Sequence, residues 1–151
     1  MSRSCFSILP NFRKAGYTPV LVVNPPNLPF TDPSLLIEPI DVLTIASFLQ
    51  SLGAAVVVRD MDREQLAIEA FSRVLSEVQP RLVVIPFDYH IPLYSAAAAR
   101  GVHGMLRQSC AAGVPVILGG RPASAYPRYF LSAHPSALII AGEMEPALAD
   151  I

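Results

Sequence analysis

The sequence predicts an α/β domain whose parallel sheet is covered by helices on both faces. Five apolar segments of strand length recur along the chain, they barely alternate with polar residues, and segments of helical periodicity separate them. The 151 residues suffice for one compact domain with a real core and are too few for two. Apolar residues make up 52% and charged residues 15%, which suits strands buried on both sides and argues against disorder.

The first strand is expected over residues 19–24 and the first helix over 39–52. In that helix Val42, Ile45, Ala46 and Leu49 follow the i, i+3, i+4, i+7 spacing that docks one face on a sheet. Pro39 suits the first turn, where a missing N–H costs nothing, and Gly53 suits the stop. A second strand falls over 54–59. The next helix opens at Asp62, with Gln65 three residues on in a capping-box pattern. Its buried face comprises Ala67, Phe71, Val74, Leu75 and Val78, and Pro80 closes it. A third strand over 82–87 leads to an alanine-rich helix from about 93 to 112, interrupted by Gly101 and Gly104. Each glycine lowers helix propensity by about 1 kcal/mol relative to alanine, so close packing against the sheet is their expected use. The fourth strand covers 115–119, a helix weakened by Pro127 covers 123–131, and the fifth strand covers 137–141.

Strands alternating with helices give a parallel sheet with right-handed crossovers. Five strands at this spacing suit a doubly wound, flavodoxin-like (Rossmann-like) sheet of order 2-1-3-4-5 rather than a barrel, which takes about 250 residues. Val22, Val84 and Ile117 belong at its centre. Residues 1–18 are read as an N-terminal extension and 19–151 as the domain. Ligands of such folds sit outside the carboxyl ends of the strands, near the switch between strands one and three. That rule directs attention to residues 24–32, 88–92, 119–124 and 142–145.

Several functions are disfavoured. No apolar run approaches the roughly 18 residues of a membrane span. Arg3, Arg13 and Lys14 are not followed by a continuous apolar segment, which argues against a secretory signal. A net charge of -1 without a basic run argues against nucleic acid as the main partner. Cys5 and Cys110 are too few for a disulfide framework and lack metal-ligand spacing, so they read as free thiols in a reducing cytoplasm. His103 and His134 have no partner nearby in sequence and are expected in solvent. No GxxxxGK[ST] loop exists, and no GxGxxG follows the first strand. A phosphoryl receiver needs a lysine near the end of the last strand; Lys14 is the only lysine, and Ala141-Gly142 stand there. GxSxG, HExxH and CxxC are likewise missing.

The remaining residues carry a specific pattern. Val20-Leu21-Val22-Val23-Asn24-Pro25-Pro26 is followed by Glu38-Pro39 and by Leu43-Thr44-Ile45-Ala46-Ser47-Phe48-Leu49. Gly53, Val56-Val57-Val58-Arg59-Asp60 and Pro80-Arg81-Leu82-Val83-Val84-Ile85 come next. Val116-Ile117-Leu118-Gly119-Gly120-Arg121-Pro122 and Gly142-Glu143-Met144-Glu145 complete the set. In order and spacing this resembles the N-terminal cobalamin-binding domain of B12-dependent radical SAM enzymes, over residues 20–147. The individual pieces NPP, GG and GE are common, and their shared order carries the resemblance.

The resemblance implies cobalamin at the carboxyl edge, with Asn24, Pro25, Pro26, Asp88, Tyr89, His90, Gly119, Gly120, Arg121, Gly142 and Glu143 as candidate binding residues. Gly119-Gly120 would border the cavity for the nucleotide tail; a tight strand-to-helix turn without any ligand explains them as well. Asn24-Pro25-Pro26 would hold the first loop extended in either case. Arg121 would donate to a phosphate or to corrin amides, or stand in solvent. Glu143 and Glu145 point at the ligand edge by the family analogy, or compensate a helix N-terminus ahead of Pro146.

Two features depart from cobalamin proteins at large. The DxHxxG motif that supplies cobalt with a histidine is missing after the first strand. Asp88-Tyr89-His90 copies its opening after the third strand, but Leu93 stands where glycine belongs, so His90 remains a weak candidate near cobalt or a loop-capping residue. The CxxxCxxC motif is also missing, and two cysteines cannot hold an iron–sulfur cluster in this chain. Catalysis would therefore need a radical SAM barrel, as a further domain or a separate subunit, and S-adenosylmethionine would enter only through that partner. The expected chemistry is methyl transfer or related radical chemistry on a cytoplasmic protein. Two other readings stay open: an interaction module that kept the fold and lost the cofactor, and a small hydrolase or transferase site on Asp88, Tyr89 and His90. The last lacks a recognisable nucleophile–base–orienter set.

Overall fold

Consecutive branched aliphatic residues resist helix and favour extended backbone, and here they build a sheet with no solvent-facing side at its centre. A computed structural model describes residues 18–26, 38–88 and 92–151. The strands are β1 (Val20–Asn24), β2 (Val56–Asp60), β3 (Leu82–Pro86), β4 (Val116–Gly119) and β5 (Leu138–Ile139). All pair in parallel, in the order β2-β1-β3-β4-β5, as the sequence predicts. The helices are α1 (Ile40–Ser51), α2 (Phe71–Val78), α3 (Pro92–Ala111), α4 (Arg121–Ala125), α5 (Pro127–Ala133) and α6 (Met144–Ala149). Tyr89, His90 and all but the last residue of the N-terminal extension lie outside the described residues.

Strand residues alternate between two cores, which explains why they read as continuous apolar runs. Leu21, Val23, Val83, Ile85, Val116 and Leu118 meet α2, α3, α4 and α5 on one face. On the other, Val20, Val22, Leu82, Val84 and Ile117 meet α1 and α6. Val22, Val84 and Ile117 are aligned by register across three strands, and none has any exposed surface. An Ile117→Ala variant is therefore expected to lose about 2–5 kcal/mol of stability. Chemical denaturation monitored by circular dichroism checks this.

α1 buries Val42, Ile45, Ala46 and Leu49 as its periodicity predicts, and it stops at Gly53, whose φ is +87°. Elsewhere four expectations need correction. The capping box at Asp62 does not start a helix. Residues 61–65 form turns stitched to the end of β2: Arg63 N–H donates to Asp60, Leu66 N–H to the Met61 carbonyl, and Gln65 itself takes φ +53°. Burial of Met61 holds these turns to the core. A turn of 3-10 helix at Ile68–Ala70 then leads into α2, so Ala67 precedes the helix and is exposed.

The helix expected over 123–131 is two helices, broken at Tyr126 (φ −130°, ψ 50°). Pro127 lacks an N–H and disfavours helical backbone in the residue before it, so it opens α5 instead of sitting inside one helix. Gly101 and Gly104 do permit close approach, but against the segments leaving β1 and β2 rather than the strands. A Cβ on Gly101 would lie 2.8 Å from the Pro26 carbonyl oxygen, and one on Gly104 would strike the Ile68 side chain. Finally, His103 and His134 are paired with each other rather than solvated, with ring nitrogens 2.7 Å apart. Their separation of 31 residues hid the contact from sequence.

Candidate functional site

Right-handed crossovers bring each strand's carboxyl end and the following helix N-terminus to one edge of the sheet. There α1 contributes Asp41, Thr44 and Ile45 to a shallow open cleft of about 90 Å³. Pro86 and Asp88 enter from the end of β3, and Gly120 from the end of β4. Glu143, Met144 and Glu145 close the far side at the start of α6. Of the residues singled out in sequence, the cleft thus gathers Asp88, Gly120, Glu143 and Glu145. Arg121 joins through Asp88, its Nε lying 3.0 Å from Oδ1. Such a half-exposed ion pair contributes at most about 1 kcal/mol and serves mainly to orient the guanidinium.

Ser124 ties the β4 and β5 loops together. Its hydroxyl donates to the Gly120 carbonyl at 2.9 Å and accepts from the Gly142 N–H at 2.8 Å. Asn24 lies one strand away and faces β2, where its side-chain amide donates to Asp60 Oδ1 at 2.8 Å. Pro25 and Pro26 are buried, and Pro26 packs against α3 at Gly101. These three residues lie at the end of β1, outside the cleft lining. Tyr89 and His90 fall beyond the described residues.

The glycines separate into two kinds. At Gly120 (φ +97°) the place of a side chain is filled by the backbone of Phe87, and at Gly119 by the Met144 side chain. Backbone packing therefore requires glycine at Gly120, whereas a side chain at Gly119 would have to displace the flexible end of Met144. Gly142 differs: its φ is +111°, yet among the described residues nothing lies within 4 Å of where its Cβ would be. Here the backbone borders open space.

The electrostatic character of the cleft is anionic, from Asp41, Asp88, Glu143 and Glu145, with Arg121 at its margin. Carboxylates only accept hydrogen bonds, so the cleft suits a ligand rich in N–H donors better than a bare phosphate. No group of three histidine, cysteine or acidic side chains capable of holding a metal ion occurs among the described residues. Asp41, Thr44 and Met144 were not distinguishable as site residues from local sequence. The signal that identifies them is topological: helix N-termini lie at the carboxyl edge. Among the described residues no helix is long and apolar enough to cross a membrane.

Order, register and the position of the cleft define a doubly wound α/β domain of the flavodoxin-like type. Its fold is shared with TsrM of Kitasatospora setae, a radical S-adenosylmethionine methyltransferase. A structure of that enzyme with tryptophan substrate and the SAM analogue aza-SAM matches 79% of this chain at 19% identity and a TM-score of 0.58. A second, with cobalamin and a [4Fe-4S] cluster bound, matches 78% at 18% identity and the same TM-score. The chain spans 22% of the length of these enzymes. No protein-family model matches the sequence, and neither does any curated protein.

Proposed function

We infer that this chain binds cobalamin across the carboxyl edge of its sheet and presents it to a radical SAM barrel, in the same protein or a separate subunit. The observation that carries the reading is the fold shared with a cobalamin-bound radical SAM methyltransferase over 78% of the chain. The ordered NPP, GG and GE segments at three strand ends add to it.

The residues at the edge fit the ligand's chemistry. A corrin is broad and flat with primary amides around its rim, and a cleft of about 90 Å³ cannot enclose it, so the edge acts as a platform. Asp41, Asp88, Glu143 and Glu145 accept from amide N–H groups, while Gly142 leaves room for an arm to reach the backbone. Arg121, oriented by Asp88, would face the nucleotide-tail phosphate. Asn24, Pro25 and Pro26 stiffen the first loop, and Tyr89 and His90 would complete the third. When bound, the cofactor supplies a cobalt centre that carries the transferable group. The chain's share is orientation and control of access, and S-adenosylmethionine would be held by the partner.

Purified protein mixed with hydroxocobalamin is expected to retain it on gel filtration, with a visible spectrum shifted toward the base-off form. A colourless protein fraction under both oxidising and reducing conditions would instead favour an interaction module that kept the fold.

A further inference from the structure

The seam between α3 and α5 holds a second polar feature. His103 Nδ1 and His134 Nε2 lie 2.7 Å apart, so one neutral ring donates its proton to the other. The His103 ring stacks on Phe130 with centroids 5.3 Å apart, and Tyr129 meets it edge-on at 5.3 Å. His134 is 6% exposed, and Nε2 of His103 is buried without a hydrogen-bond partner. The contact is a buried polar clasp in an aromatic setting.

We propose that the His103–His134 pair is an acid-released latch holding α5, and through α4 the Gly120–Arg121 turn, against α3. A single residue, Tyr126, separates α4 from α5, so α5 cannot leave without loosening α4. The bond needs one N–H facing one lone pair. A second proton removes the lone pair and places two cations in contact, so the doubly protonated pair cannot persist.

The first proton is opposed as well. Entering at His103 Nε2, it would charge a buried atom that has no acceptor. Burial, and then the Arg107 guanidinium, hold His103 below the usual histidine range; burial, His103 and Arg107 do the same for His134. Among the described residues the groups facing the pair are Arg107 from α3 and Tyr129 from α5, and no carboxylate acts to stabilise an imidazolium.

Linkage fixes the direction. In an opened segment each ring titrates near its ordinary value of about 6.5, whereas in the latch it titrates lower. Above about pH 6.5 both forms are neutral and the latch keeps its full strength. As pH falls below that value the open form takes up protons that the closed form refuses. Opening is then favoured until pH passes below the depressed values. Each proton raises the opening constant by up to about tenfold per pH unit. The latch requires no ligand and stands apart from the cobalamin reading.

Amide hydrogen exchange on the full chain, corrected for intrinsic pH dependence, tests the latch. Between about pH 7.5 and pH 5.5 the opening constant of α5 is expected to rise at least about tenfold, while α1 and β3 change by less than about twofold. Free carboxylates titrate mainly below this window, and His90 is the one histidine outside the pair. The double variant His103→Asn/His134→Gln sets amide groups near the bonded nitrogens and cannot titrate, so its α5 should exchange with no pH response. A parent α5 that stays flat, or loosens only in step with α1 and β3, overturns the latch. A folded double variant that keeps the parent's response overturns it too. If the double variant fails to fold, nitrogen NMR of the parent imidazoles decides. Both rings titrating together with α5 opening supports the latch, and independent titration at ordinary values sinks it.

Discussion

Gly120→Val is expected to destabilise the protein by about 2–6 kcal/mol, the sum of overpacking and backbone strain. Two costs coincide at this residue. Its φ of +97° is poorly tolerated by any β-branched side chain, and the first side-chain atom would occupy the position of the Phe87 carbonyl. Relief by a rotamer change is closed off, because the obstacle is backbone. Phe87 N–H also donates to the Gly119 carbonyl at 2.9 Å, so moving one segment disturbs the ends of β3 and β4 together. For a domain of this size the melting temperature should fall by roughly 4–24 °C. Thermal denaturation followed by circular dichroism measures it, and a shift smaller than about 2 °C would overturn the packing argument. Even Gly120→Ala should be costly, since the clash begins at Cβ.

This result changes what the glycine pair reports. From sequence, Gly119-Gly120 admits a backbone approach to a ligand or a tight turn, because both demand a missing side chain. Three-dimensional packing separates the two: Phe87 and Met144 fill the space the side chains would take. A loss of cobalamin retention in a Gly120 variant would therefore follow from damage to the turn. At this edge Gly142, open among the described residues, leaves backbone that a ligand could approach.

The fold was legible because its strands advertise themselves. In a sheet covered on both faces every strand position is apolar, so Val20 to Val23 and Leu82 to Ile85 stand out without alternation. The same topology directs the search for a ligand to the carboxyl edge, and a cleft lies there. What failed were features decided by partners distant in sequence. Asp62 and Gln65 have the spacing of a helix start, but Arg63, Leu66 and Met61 bind that segment to the end of β2 first. His103 and His134 carry no local mark of their pairing. Asp41 and Thr44 look like ordinary exposed positions of an amphipathic helix until the crossover places them beside Asp88 and Glu145.

Thr44→Trp is expected to reduce cobalamin retention by at least about tenfold, equivalent to about 1.4 kcal/mol of binding, with little effect on stability. Thr44 is exposed on α1 and lines the cleft, so its side chain can grow without displacing core atoms. Tryptophan and threonine have similar helix propensities, and an exposed helical substitution typically shifts stability by no more than about 0.5 kcal/mol. An indole is large against a cleft of about 90 Å³ and would lie across the approach to Asp88 and Glu145. A corrin resting on this edge would meet the ring before it reached the carboxylates. The larger groove of about 580 Å³ between α2 and α3, lined in part by Ser72 and Gln108, provides the control. Ser72→Trp should bind hydroxocobalamin like the parent. Titrations followed by the visible spectrum, with melting curves on the same samples, compare the three proteins directly. A Thr44→Trp protein that binds like the parent while Ser72→Trp loses the cofactor would move the ligand to the α2–α3 groove. That outcome would leave the carboxyl edge without its proposed occupant, because a corrin lying on this platform would have to meet an indole standing in its cleft.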